Sequence, residues 1–156
     1  MSSETRTRTD VGTTVGLNDW QAGVVGGLIG GVLMGTMLSA LNPAALTTAI
    51  PTMYGLESGV AGWTAHLAHS AILGVVFAAI ISMVFEHGGR PAISGAIGLV
   101  YGAVLWVVLA AFVMPVWVNA VAGATVLPSP NLGLPGSLPP HLVYGVVLGV
   151  LYPYLR

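Results

Sequence analysis

The chain has no cysteine and no lysine, and only 6% of its residues are charged. Each absence removes a class of chemistry. Without cysteine there are no disulfides, thiolate metal sites, iron–sulfur clusters or covalently attached haem. Without lysine there is no Walker-type phosphate loop and no Schiff base for retinal or pyridoxal phosphate. The formal net charge of −1 offers no basic face to a nucleic acid. A soluble domain carries about 25% charged residues. Here four arginines and five acidic residues must serve 156 positions. They cannot cover a surface facing water, so most of the surface must face lipid.

What the chain does have is apolar length and glycine: 55% hydrophobic residues and 22 glycines. Residues 1–18 are polar and without apolar period, and predict a disordered tail. The tail has no cleavable apolar core and is expected to stay on the chain. Four spans are predicted after it, at about 20–41, 62–85, 91–118 and 139–155. The first, at ~1.5 Å per residue, covers about 33 Å, enough for a hydrocarbon core of about 30 Å. Asn42-Pro43 ends it, and a short loop with an interfacial helix follows, broken by Pro51 and Gly55. A tight polar turn is expected at residues 86–90, and Pro91 opens the third span. Residues 119–140 read as a loop, with Pro115 ending the third span and Pro139-Pro140 opening the fourth.

Glycines at helical spacing are read as packing positions: Gly23, Gly27, Gly31 and Gly35 on the first span, Gly74 on the second, Gly98 and Gly102 on the third, Gly145 and Gly149 on the fourth. Ser70, Gly74 and Ala78 form a small-residue stripe able to meet that of the first span.

An internal repeat relates the two halves. Gly23, Gly26, Gly30 and Pro43 align with Gly95, Gly98, Gly102 and Pro115 at one offset, 72. His66, His69, Gly74 and Phe77 align with His141, Tyr144, Gly149 and Tyr152 at 75. The expected fold is therefore an all-α four-transmembrane-helix bundle built from two tandem helical-hairpin repeats, with the membrane domain over 19–156. All four arginines fall in the N-terminal tail, the turn between spans two and three, and the C-terminal end. The positive-inside rule then puts both termini in the cytoplasm of a cell-membrane protein.

The glycine-rich first span, Asn42-Pro43, Gly62-Trp63-Thr64-Ala65-His66 and the segment from His141 to Gly149 resemble the YagU/DUF6789-type group of small four-span membrane proteins. The resemblance covers the four spans and omits the tail. It implies a fold and a membrane location, and no particular reaction.

The ionisable side chains in the apolar segments are His66, His69 and, at the mouth of span four, His141. Imidazole in lipid needs a partner, and such residues are functional candidates by default. Three readings are open. In the first, the histidines and Tyr144 form a His/Tyr cluster packing the outer half through interhelical hydrogen bonds, in a structural or accessory membrane module that is not an enzyme. In the second, the protein is a carrier or channel for a small solute or protons, with Thr36, Ser39, Ser82 and Ser94 as mid-membrane polar residues and an imidazole able to titrate near neutral pH. In the third, two or three of His66, His69 and His141 hold a b-type haem or a metal ion, with Tyr144 and Trp63 lining the site. The expected partners are the lipid bilayer and a second copy or another membrane protein, with no nucleotide and no nucleic acid.

Overall fold

The computed structural model describes residues 16–85 and 90–156. Most of the expected tail, and the expected turn apart from Arg90, lie outside the described residues. The described chain is helical. Helix α1 is Asp19–Leu41. A short helix, α2, joins a π-helical turn, Ala45–Ala49, to Ile50–Thr52. Helix α3 is Gly59–Val84. Helix α4, Pro91–Ala122, is continuous but passes through a π-helical stretch, Trp106–Val113. Helix α5 is Leu134–Leu155. Helices α1, α3, α4 and α5 are each long and apolar enough to cross a membrane. Large apolar side chains stand exposed along them: Val60 at 79%, Met83 at 86%, Val100 at 63%. In water that surface would be costly, whereas in lipid it is the expected exterior. The chain is a multi-pass membrane protein.

Local chemistry sets the helix ends. The Asn18 N–H donates to Gln21 Oε1 at 3.0 Å where α1 begins. Pro43 disfavours helical backbone at Asn42, which sits at φ −152°, ψ 67°. Ser58 Oγ accepts from the Ala61 N–H at 3.0 Å and caps α3. Gly123, at φ 65°, supplies the left-handed turn that ends α4.

Several expected boundaries move. Leu17 is not in a free tail: its N–H donates to the Leu155 carbonyl at 2.9 Å, so the start of α1 and the end of α5 share one end of the bundle. Helix α3 starts at Gly59 rather than 62. Pro115 does not end α4, which runs on to Ala122. A proline removes the donor to the carbonyl four residues back and crowds it. Here that carbonyl belongs to Ala111, inside the π-helical stretch, and it accepts the Asn131 N–H at 2.8 Å. Pro139 and Pro140 lie inside α5, which begins five residues earlier than expected. His141 is thus two turns into the helix, not at its mouth. Pro51 is helical as well, in α2. Pro43 and Pro115, aligned in sequence, therefore occupy a helix break and a helix interior.

The packing order is α3, α1, α5, α4. Helices α1 and α5 are the inner members, and α1 has two glycine edges. On one, a Cβ at Gly23 would lie 2.5 Å from the Gly74 carbonyl oxygen, and one at Gly27 would lie 2.4 Å from that of Ser70. On the other, Gly26 faces Leu148 and Gly30 faces Tyr144, 3.0 and 3.1 Å from a would-be Cβ. Helices α4 and α5 approach as closely: a Cβ at Gly145 would sit 1.9 Å from the Gly98 carbonyl oxygen, and one at Gly149 2.2 Å from that of Ser94. A Cβ at Gly102 would be 2.2 Å from the His141 carbonyl oxygen. Backbones this close exclude any side chain. Helices α3 and α4 meet more sparingly, through Tyr101, whose hydroxyl donates to the Leu73 carbonyl at 2.7 Å and whose ring lies 5.3 Å from that of Phe77.

Candidate functional site

Where α3 and α4 part, a cavity of about 330 Å³ opens at the end of the bundle away from Leu17 and Leu155. Its walls are mostly apolar, with Met34 and Leu38 from α1, Ile50 from α2 and Met53 just after it, and Leu105 and Leu109 from α4. Its polar lining comes from His66, His69 and Ser70 on α3, Ser137, His141 and Tyr144 on α5, Asn42 at the end of α1 and Asn131 in the loop before α5. Helix α2 spans the gap above it. The Leu46 carbonyl of α2 lies 1.7 Å from a would-be Cβ on Gly62 of α3. On the other side, Trp117 Nε1–H of α4 donates to the Met53 carbonyl at 2.9 Å.

Both π-helical segments border this space. Ala45 of the first and Leu109, Ala110 and Val113 of the second line it. A π-helical turn widens a helix at the cost of regular bonding and is frequent at functional sites. In α4 the cause is on the chain: Pro115 deprives the Ala111 carbonyl of an α-helical donor, and the loop before α5 supplies one through Asn131.

The histidines are held by backbone carbonyls. His66, 4% exposed, donates Nε2–H to Gly31 of α1 at 2.9 Å. The His66 ring also packs over Gly35, where a Cβ would lie 3.2 Å from its Cδ2. His141 donates Nδ1–H to Ser137 in its own helix at 2.7 Å. His69 Nε2 pairs with the hydroxyl of Tyr54 on the α2–α3 connection. Tyr144, buried, donates to the Ser70 carbonyl of α3 at 2.7 Å and so ties the two hairpins together.

Of the residues singled out in the sequence, His66, His69, His141 and Tyr144 line this cavity together. Trp63 does not. Its ring packs against Gly35, 2.5 Å from a would-be Cβ, and stands edge-on to His66 at 6.0 Å. Among the described residues no three His, Asp or Glu side chains form a group able to hold a metal ion. His66 Nε2, the ring nitrogen farther from the backbone, is already engaged by Gly31. Thr36, Ser39 and Ser82 turn their hydroxyls onto carbonyls of their own helices, and neither they nor Ser94 line the cavity. Sequence reasoning missed Asn131 and Ser137 and read Asn42 only as a helix end. The available signal was amides at the same end of the spans as the histidines.

No family model, curated protein or solved structure matches the chain.

Proposed function

We propose that this protein is a four-span membrane module that takes a small, largely apolar molecule into the cavity between its two hairpins. It binds the molecule rather than transforming it. The observation that carries this reading is the convergence of His66, His69, His141 and Tyr144, with both π-helical segments, on one space of about 330 Å³. That volume lies at the lower end of the range for small-molecule sites, about 300–1,000 Å³, and such sites pair apolar walls with a few polar groups. The buried hydrogen bonds of His66 and Tyr144 also support the accessory, packing reading of those residues. One residue set then serves both architecture and binding.

The proposed setting is the cell membrane with both termini cytoplasmic, which turns the cavity towards the outer leaflet. Arg90 and Arg156 support this by the positive-inside rule. The close approaches at Gly23, Gly27, Gly74, Gly98, Gly145 and Gly149 support glycine-mediated packing within two related hairpins. Membership of the YagU/DUF6789-type group rests on the sequence segments that resemble it.

The test is thermal unfolding of the purified protein with naphthalene as a probe. A site occupied at a hundredfold excess over its Kd adds about 2.7 kcal/mol. The unfolding temperature of the parent protein should rise by several degrees, and that of Ala110→Trp, which fills the cavity, should not. An equal response of the two proteins would contradict the reading.

A further inference from the structure

Around its buried histidines and hydroxyls, the cavity's hydrogen-bonding capacity is one-sided. The Ser70 hydroxyl donates to the His66 carbonyl at 2.8 Å. The Ser137 hydroxyl donates to Gly133 at 2.8 Å while accepting from Trp106 Nε1–H at 2.9 Å. The Tyr144 hydroxyl donates to Ser70. A neutral imidazole has one N–H. His66 gives its N–H to Gly31 and His141 gives its own to Ser137. Each of these five donors is taken up by a main-chain carbonyl.

What remains on these residues is acceptor capacity. The bonds to Gly31 and Ser137 fix both tautomers, leaving a lone pair on His66 Nδ1 and another on His141 Nε2. Among the described residues, the buried polar side-chain atoms lacking partners are Tyr152 Oη and Arg156 Nη1. Neither imidazole makes a second hydrogen bond among the described residues, and both residues line the cavity. The lining's donors are elsewhere: the amides of Asn42, at the end of α1, and Asn131, in the loop before α5, and, at the exposed Tyr54–His69 pair, the one of its two hydrogens that their bond does not use. Among the described residues no carboxylate lines the space.

We infer that the cavity selects a neutral, largely apolar ligand carrying a hydroxyl, an alcohol or a phenol, and seats its one O–H against the acceptor nitrogen of His141, on the same lining as His66. This rests on the binding role proposed above and names its ligand class. A ketone or ether would set lone pair against lone pair at depth and leave that acceptor unsatisfied. An ammonium would find no counter-ion.

Two probes of nearly one shape separate the cases: 1-naphthol, which donates, and 1-methoxynaphthalene, which does not. Binding is read by equilibrium dialysis at neutral pH of the full chain in lipid nanodiscs, against empty nanodiscs to remove partitioning. The expected result is about tenfold tighter binding of naphthol, the effect of one buried hydrogen bond. In His141→Phe, checked for helicity and monodispersity, that preference should fall several-fold with ether binding kept. His141→Asn, whose side-chain carbonyl restores an acceptor, should recover part of it and serves if the phenylalanine variant fails to fold. Equal binding of the two probes to the parent protein would overturn the inference and leave the binding cavity standing. Binding of neither, with no response to naphthalene, would remove the cavity reading itself. A full preference retained in both His141 variants would overturn the role given to that ring.

Discussion

The imidazole of His66 donates Nε2–H to the main-chain carbonyl of Gly31, 2.9 Å away across the α1–α3 contact. It is a side chain bonded to another helix's backbone. Interhelical hydrogen bonds within membranes contribute about 1 kcal/mol or less on average. His66→Phe keeps most of the bulk and loses the donor. It should lower stability by about 1 kcal/mol in reversible unfolding by a denaturing detergent. An unchanged midpoint would mean that the bond contributes nothing.

Glycine contacts should show a steep dependence on position. A methyl on Gly74 would meet the Gly23 carbonyl oxygen at 2.0 Å, and one on Gly145 would meet that of Gly98 at 1.9 Å. Those atoms belong to main chain and cannot turn aside. Gly74→Ala and Gly145→Ala should each cost about 1–3 kcal/mol, the overpacking range. At Gly59 the nearest atom is Thr47 Cγ2 at 3.6 Å, so Gly59→Ala should change stability by less than about 0.5 kcal/mol. The same unfolding assay ranks the three, and equal effects would refute the packing described.

Trp117 ties α2 to α4 through the Met53 carbonyl. Trp117→Phe should release α2 with little change in global stability. Hydrogen exchange followed by mass spectrometry should then speed up several-fold in peptides covering residues 45–53, and stay constant in α1. Unchanged exchange in α2 would show that it is held by its α3 contacts alone.

Pro115 leaves the Ala111 carbonyl for Asn131. Pro115→Ala restores a competing N–H and favours a regular α-helix over the π-helical stretch. Exchange at Asn131 should quicken and naphthalene binding should weaken several-fold, without loss of stability. Binding unaffected by the change would separate the π-helical stretch from the cavity.

Much of the fold was legible in the sequence because lipid imposes a simple rule: long apolar runs without charges become helices. Span number, the Asn42-Pro43 break and the start at Pro91 all follow from local chemistry. Proline was the weak point. Local chemistry makes Pro51, Pro115, Pro139 and Pro140 helix ends, yet each lies within a helix. In a helical membrane bundle a freed carbonyl can be satisfied by tertiary partners, as Asn131 does for Ala111, and such partners have no sequence period. The histidines were legible as exceptions in an apolar segment. Their partners were not: Gly31 and Ser137 offer carbonyls, which every residue has. Asn131 and Ser137 joined the site through a loop whose path only tertiary structure defines.

The most direct test of the account uses the lack of native cysteine. Single cysteines are placed at Leu56 and Leu132, exposed in the two connections at the histidine end, and at Arg90 near the opposite end. They are labelled in intact cells with a membrane-impermeant maleimide. The account predicts labelling of Leu56→Cys and Leu132→Cys from outside, and of Arg90→Cys only after permeabilisation. Labelling of positions 56 and 132 from opposite faces, or recovery of the protein in the soluble fraction, would contradict it.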